Sequence, residues 1–312
     1  MEASIKGLHH ITAIAGDAQR NYDFYTRALG LRLVKKTVNF DDPETYHFYY
    51  GDEQGTPGTI LTFFPWGTKV PRGRRGAGQV TEIAYSVPEG SLDFWQKRFE
   101  KLQVTQSPIA EKFGESYLTV LDPDGLKLEL TVAKTPDLRT PWETSEVTAD
   151  YATRGFHAIT ITTANRQATA KILTELFGYH LLEQEQNRYR FVTAAVPNAA
   201  MVDLLEIPGE KSGYTAGGSV HHVAFRVSNE EILMAFRKKI IEAGHQITEK
   251  IDRNYFYSLY FREPGGVLFE LATDNPGFAT DETVAELGMG LKLPAQYEPF
   301  RSELEHVLPQ LH

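Results

Sequence analysis

Leu8-His-His-Ile-Thr-Ala-Ile14 and Val220-His-His-Val-Ala-Phe-Arg-Val227 carry the same pair of histidines at the start of a short, apolar-rich run. Two further stretches look alike, Val80-Thr-Glu-Ile-Ala-Tyr-Ser-Val87 and Gly155-Phe-His-Ala-Ile-Thr-Ile161. Partial alternation over such a length predicts a half-buried strand. A segment with apolar residues at three- and four-residue steps follows each one, which is the helical period. Helices are expected over 21–29, 91–102, 167–177 and 230–241, with stops at Gly30, Gly178 and near Gly244, because glycine takes the left-handed backbone of a helix end without steric cost.

Several β-rich runs come after each helix. The first unit has Leu31-Arg-Leu-Val-Lys-Lys-Thr-Val38, Tyr46-His-Phe-Tyr-Tyr50 and Thr59-Ile-Leu-Thr-Phe-Phe64; the fourth has Tyr257-Ser-Leu-Tyr-Phe-Arg262 and Val267-Leu-Phe-Glu-Leu-Ala272. The second and fourth units share a turn before their last strand, in Asp122-Pro-Asp-Gly-Leu-Lys-Leu-Glu129 and Glu263-Pro-Gly-Gly-Val-Leu-Phe-Glu270, and proline followed by glycine suits a tight connection. Gly30 recurs as Gly178, Glu129 as Glu270, and Glu82 is replaced by His222. On the same spacing His157 is aligned with His10. The chain therefore divides into an N-terminal domain over 1–134, a linker over 135–153, a C-terminal domain over 154–274 and an extension over 275–312. The extension is expected to hold a Gly/Pro-punctuated loop and a short amphipathic helix near 298–307, as a lid, an interface or a brace.

Composition narrows the chemistry. The net charge of −9 and the lack of a basic stripe argue against nucleic acid. No apolar run reaches the length of about 18 residues that a membrane span needs. The start of the chain shows no signal-peptide core, so a cytoplasmic location is expected. With no cysteine, a metal site has only His, Asp, Glu and Tyr to draw on.

A single histidine on a strand is ordinarily a packing or surface residue, but two His-His pairs at strand starts are harder to explain that way. Side chains alternate along a strand, so His221 shares a side with Val223, Phe225 and Val227. His222 shares the other with Ala224 and Arg226, which makes His222 the better ligand and leaves His221 beside it. Glu270 points away from Val267, Phe269 and Leu271. Two ligand sets follow: His10, His222 and Glu270, or His157, His222 and Glu270. Two histidines and one carboxylate leave open positions on an octahedral ion, the facial arrangement of non-haem Fe(II) oxygenases.

The four-fold βαβββ pattern resembles the vicinal oxygen chelate superfamily over nearly the whole chain. The closer likeness is to bacterial ring-cleaving dioxygenases that act on hydroquinones, carried by Leu8-His-His-Ile-Thr12, residues 31–37, Tyr46-His-Phe-Tyr-Tyr50 with Gly55-Thr-Pro-Gly-Thr59, Arg154-Gly-Phe-His157, His221-His222, and Arg253 through Glu270. The resemblance implies an α+β fold, with two tandem glyoxalase-like domains forming curved mixed sheets. It favours His10 over His157 and implies Fe(II), with Mn(II) also accepted by these ligands. It picks out His9, Thr12, His221, Arg253 and Tyr260 as pocket residues, with Tyr260 or His221 moving a proton and Arg253 stabilising negative charge. The implied partners are a small aromatic substrate and O2, and a homo-oligomer is allowed. Two other activities share the architecture, a glyoxalase-type metal-dependent isomerase and a non-catalytic small-molecule-binding resistance protein.

Overall fold

The computed structural model describes residues 4–312 and contains the four βαβββ modules. The first holds β1 (Leu8–Ala15), β2 (Arg32–Asn39), β3 (Asp42–Gly51) and β4 (Ile60–Pro65). The second holds β5 (Gln79–Val87), β6 (Ala110–Lys112), β7 (Glu115–Leu121) and β8 (Lys127–Val132). The third holds β9 (Phe156–Thr163), β10 (His180–Glu185), β11 (Arg188–Val192) and β12 (Met201–Glu206). The fourth holds β13 (Ser219–Val227), β14 (Ile251–Asp252), β15 (Phe256–Arg262) and β16 (Leu268–Pro276).

The helices lie where the apolar period placed them. Asp17 accepts from the Arg20 amide to cap a helix over Ala18–Asp23, and Asn229 does the same for Ile232 ahead of Glu230–Glu242; each satisfies an amide that the first turn leaves free. Leu92–Lys101 buries Leu92, Trp95 and Phe99, and the fourth helix buries Ile232, Leu233, Phe236 and Ile240. The first and third helices are shorter than the pattern suggests. They end in π-helical turns, Phe24–Ala28 and Ile172–Leu176, before Gly30 and Gly178, both at positive φ.

Two eight-stranded mixed sheets result, and neither is made of sequence neighbours alone. One runs β14-β15-β16-β13-β1-β4-β3-β2 and joins the first module to the fourth. The other runs β10-β11-β12-β9-β5-β8-β7-β6 and joins the second to the third. The central seam of each is an antiparallel pair, β1 with β13 and β5 with β9. This is the α+β architecture of two tandem glyoxalase-like domains with curled sheets.

Those seams contain paired irregularities that matter for the site. Leu8 pairs with Phe225 and His10 with Ala224, so His9 is an extra residue on β1; Thr12 pairs with His222 and Ala13 with Val220, so His221 is an extra residue on β13. Extra residues of this kind are β-bulges, which re-aim a side chain. The second seam repeats the device with Thr81 and His157 as the extra residues. One expectation is corrected here. His157 is structurally equivalent to His9, and Ala158 to His10, because Phe156-His157-Ala158-Ile159-Thr160 matches Leu8-His9-His10-Ile11-Thr12 strand position for strand position.

The extension braces β2 and β3. The Lys36 carbonyl accepts from the Lys292 amide, the Phe40 carbonyl from the Tyr297 hydroxyl at 2.8 Å, and the Pro309 carbonyl from the Tyr46 hydroxyl at 3.1 Å. Fully buried Lys35 pairs with Asp281 at 2.5 Å and with Glu282. Phe278 packs against Tyr49 and Tyr255 under the first sheet. A 3-10 turn at Glu298–Phe300 leads into the helix Arg301–Val307, as the sequence pattern suggests.

Candidate metal centre

His10 comes from β1, His222 from β13 and Glu270 from β16. The register places them on adjoining strands, with Ala224 pairing with both His10 and Glu270. One ligand-type atom from each lies within 4.8 Å of the other two, and all three residues are buried. Nε2 of His10 is 3.1 Å, and Nε2 of His222 3.0 Å, from the same carboxylate oxygen, Oε2 of Glu270. That oxygen is buried without a hydrogen-bond partner, whereas Oε1 accepts from the Ser258 hydroxyl.

The far sides of both imidazoles are held alike. Nδ1 of His10 lies 2.9 Å from Nδ1 of His9, and Nδ1 of His222 lies 2.8 Å from Nδ1 of His221. His9 Nε2 is 3.1 Å from the Thr273 carbonyl, which only accepts, so this nitrogen carries the His9 proton. Burial, reinforced by the charge of His10, depresses the His9 pKa well below its usual value, so the ring is neutral and its Nδ1 is bare. The proton between the two rings therefore belongs to His10 Nδ1. That leaves His10 Nε2 to face the Glu270 carboxylate.

Two imidazole nitrogens converge on one buried carboxylate oxygen that lacks a hydrogen-bond partner, an arrangement a shared cation would satisfy. The donor set accordingly fits a metal ion, and its oxygen and imidazole nitrogen atoms suit Fe, Mn or Zn. Burial works against the ionised form of Glu270, but His10 and His222 hold its pKa well below the ordinary carboxylate value. Burial also lowers the His222 pKa, against the pull of Glu270.

The centre adjoins a cavity of about 360 Å³ lined by His10, His222, His221, Arg253, Tyr260 and Leu268, with His47, Tyr49, Phe64, Trp66, Phe256 and residues 39–41 completing the wall. This is at the small end of ligand pockets, which run from about 300 to 1,000 Å³. Arg253 sits over the Tyr260 ring at 5.5 Å and reaches Asp41 of the β2–β3 turn at 3.3 Å. Tyr260 meets the His222 ring edge-on at 5.6 Å between centroids, and burial raises its pKa, so its hydroxyl stays protonated at neutral pH.

Of the residues singled out from sequence, His221, Arg253 and Tyr260 line the cavity, while His9 and Thr12 lie fully buried behind it. The side assigned to His221 is corrected. It does not turn into the apolar packing of Val223 and Phe225 but stands half-buried at the cavity with its ring near Phe64. The bulge at His221 breaks the alternation on which that assignment rested. Burial, then His222, pushes its pKa down to about 4. The sequence pattern marks Phe256, which lines the cavity, as core or pocket wall but gives no role to His47, Tyr49, Phe64 or Trp66. The signal for the first two was present, since β3 turns Phe48 and Tyr50 into the main core and sends His47 and Tyr49 the opposite way.

His157 is not brought to this centre. It lies in the second sheet with Nε2 2.9 Å from Glu115, which also takes Arg190 at 2.6 Å, and Arg190 in turn pairs with Asp203 at 2.8 Å. The positions matching His10, His222 and Glu270 there are Ala158, Glu82 and Glu129. Lys112 stands where Arg253 stands in the fourth module, and its ammonium pairs with Glu129 and lies 3.5 Å from Glu82. Lys127 adds a second cation 2.6 Å from Glu82. The second sheet thus carries built-in positive charge where the first presents a ligand set.

Residues 7–130 and 155–271 match the model of the Glyoxalase/Bleomycin resistance protein/Dioxygenase superfamily. A Bacillus subtilis protein named as a candidate ring-cleaving dioxygenase, MhqO, is 45% identical over 309 residues, covering 99% of this chain and 97% of its own. The chlorohydroquinone/hydroquinone 1,2-dioxygenase of Sphingobium indicum is 35% identical over 305 residues, covering 96% and 95%. A crystal structure of a candidate dioxygenase from Bacillus subtilis superposes with a TM-score of 0.95 at 43% identity, over 100% of this chain and 99% of that one. With this match and this fold, the chain belongs to the Glyoxalase/Bleomycin resistance protein/Dioxygenase superfamily.

Proposed function

We propose that this protein is an Fe(II)-dependent ring-cleaving dioxygenase that inserts both atoms of O2 into a hydroquinone or a related dihydroxy-aromatic compound. The observation that carries the reading is the convergence of His10, His222 and the unpartnered Glu270 oxygen at one end of an aromatic-walled cavity. The relatives named for ring cleavage, one of them for hydroquinone, support it. His10, His222 and Glu270 would hold the ion, and Mn(II) is accepted by the same donors. When bound, the metal supplies a Lewis acid for a substrate hydroxyl and a route for electrons between ring and oxygen.

The remaining roles belong to side chains. Phe64, Trp66 and Phe256 offer flat apolar faces for an aromatic ring, which prefers offset or edge-on packing. Arg253, fixed between Asp41 and Tyr260, stabilises negative charge that develops on the ring oxygens. Tyr260 donates from a hydroxyl that stays protonated, and His221, neutral at working pH, serves as the second candidate for moving a proton.

Oxygen uptake tests the reading. Protein loaded with Fe(II) without air and then given O2 consumes oxygen with at least one member of a hydroquinone and catechol panel. No uptake with any of them, or full activity in His222→Ala or Glu270→Gln, sinks it. Zinc or nickel as the metal retained after purification, together with isomerase activity, would assign the site to glyoxalase-type chemistry instead.

A further inference from the structure

The stretch Tyr46-His-Phe-Tyr-Tyr50 lies on β3. Its two cavity-facing residues head a chain of hydrogen bonds. The Tyr49 hydroxyl lies 2.9 Å from His47 Nδ1, and His47 Nε2 lies 2.9 Å from the Thr62 hydroxyl. Thr62 in turn donates to the Thr12 hydroxyl at 2.8 Å. Thr12 pairs with His222 across the β1–β13 seam, with Thr62 on β4, and lies two positions from His10 on the same side of β1.

Proton counting gives the chain a direction. A threonine hydroxyl has one proton, and that of Thr62 goes to Thr12. Thr62 therefore accepts from His47, whose proton is on Nε2. The bare Nδ1 then accepts from Tyr49. Burial keeps His47 neutral and the Tyr49 hydroxyl protonated, so both ends hold their form near neutral pH. Thr12 is fully buried, and among the described residues its own proton has no acceptor.

We propose that Tyr49, His47 and Thr62 form a directional relay that orients the Thr12 hydroxyl beside the ligand set, which makes His47 a positioning residue for the reaction there. The inference rests on the proposed dioxygenase reading for its consequence, though not for its geometry. Thr12 lies behind the cavity wall and pairs with His222, so its oriented hydroxyl dipole acts on the ligand set and not on the substrate directly. Without the relay, Thr12 is free to turn its proton back to Thr62, and the dipole beside the ligand set reverses.

Two measurements test this. The first is ¹⁵N NMR of histidine-labelled protein without metal. His47 is expected as a neutral ring protonated on Nε2, and Tyr49→Phe is expected to let the Nδ1-protonated form appear. A wild-type His47 protonated on Nδ1 overturns the relay whatever the protein catalyses. The second is kinetic, in the Fe(II)-loaded enzyme. Losing one oriented hydrogen bond in His47→Phe lowers kcat roughly tenfold, with KM changed by less than about twofold and metal content unchanged. His47→Gln, which keeps a donor toward Thr62, recovers most of that loss. The double variant Thr12→Val/His47→Phe is no slower than Thr12→Val alone, because His47 acts through Thr12. Additive losses, or a His47→Gln as slow as His47→Phe, refute the proposal. Wild-type protein that consumes no oxygen counts against the dioxygenase reading, and the NMR result then decides the relay alone.

Discussion

Ser258→Ala is the sharpest probe of the metal centre, because it leaves all three proposed ligands in place. Ser258 is fully buried, and its hydroxyl donates to Glu270 Oε1, leaving Oε2 to face His10 and His222. Register brings the two residues near: Ser258 pairs with Ala272 and Tyr260 with Glu270 on neighbouring strands. Removing the hydroxyl takes away a hydrogen bond to a charged group, worth about 1.5–3 kcal/mol. The carboxylate then loses both a partner and the contact that fixes its rotation. Partners that orient metal ligands typically contribute about 10- to 100-fold in affinity. Each tenfold is about 1.4 kcal/mol, so the two figures agree.

The assay is anaerobic competition between the protein and a chromophoric chelator for Fe(II), or for Co(II) as a spectroscopic stand-in. Ser258→Ala should weaken binding by about 10- to 100-fold, and Glu270→Gln should weaken it further. A Ser258→Ala protein that binds within about threefold of wild type, while Glu270→Gln binds poorly, would refute the orienting role. Unchanged affinity in both variants would refute the ligand set itself.

Other outcomes follow from the same geometry. His10→Ala should lose stoichiometric metal, whereas His157→Ala should keep one ion per chain by elemental analysis, since His157 lies in the other sheet with Glu115. Lys112→Met should leave the carboxylates of Glu82 and Glu129 short of a buried partner and cost about 3–5 kcal/mol in urea unfolding, with metal binding unchanged; adding Glu129→Gln should restore part of the loss. Asp122 offers a pH test. Burial raises its pKa from 3.8 to about 7, even though it accepts from the Tyr25 hydroxyl and the Leu126 amide. A raised carboxyl binds its proton more tightly in the folded chain, so its contribution is full below pH 3.8 and is lost as pH rises through about 7. The loss is on the order of 4 kcal/mol. Asp122→Asn should flatten unfolding free energy over that window, and an unchanged slope would disprove the assignment.

Much of this arrangement is visible along the chain. Strand-helix-strand periodicity, the Pro-x-Gly turns and the glycine stops mark four modules because each depends on residues within a few positions of one another. The choice of His222 and Glu270 is also local, since β13 and β16 each bury one apolar side and alternation sets the other apart. The second sheet's poor ligand set is likewise legible from Glu82 standing where His222 stands. Alternation fails at the bulges. Nothing around Val220-His221-His222-Val223 announces an extra residue, and so His221 was placed on the wrong side and His157 matched to the wrong histidine.

By itself, then, the sequence determines the modules, their order and the residue types able to hold a metal. Tertiary structure decides which histidine joins His222 and Glu270. The first module pairs with the fourth through β1 and β13, and the second with the third through β5 and β9. That choice brings His10 to Glu270 and sends His157 to Glu115. The physical reason is that strand register and bulges are properties of two chains of hydrogen bonds facing each other. At this seam the facing residues lie more than 200 positions apart, beyond the reach of any local pattern.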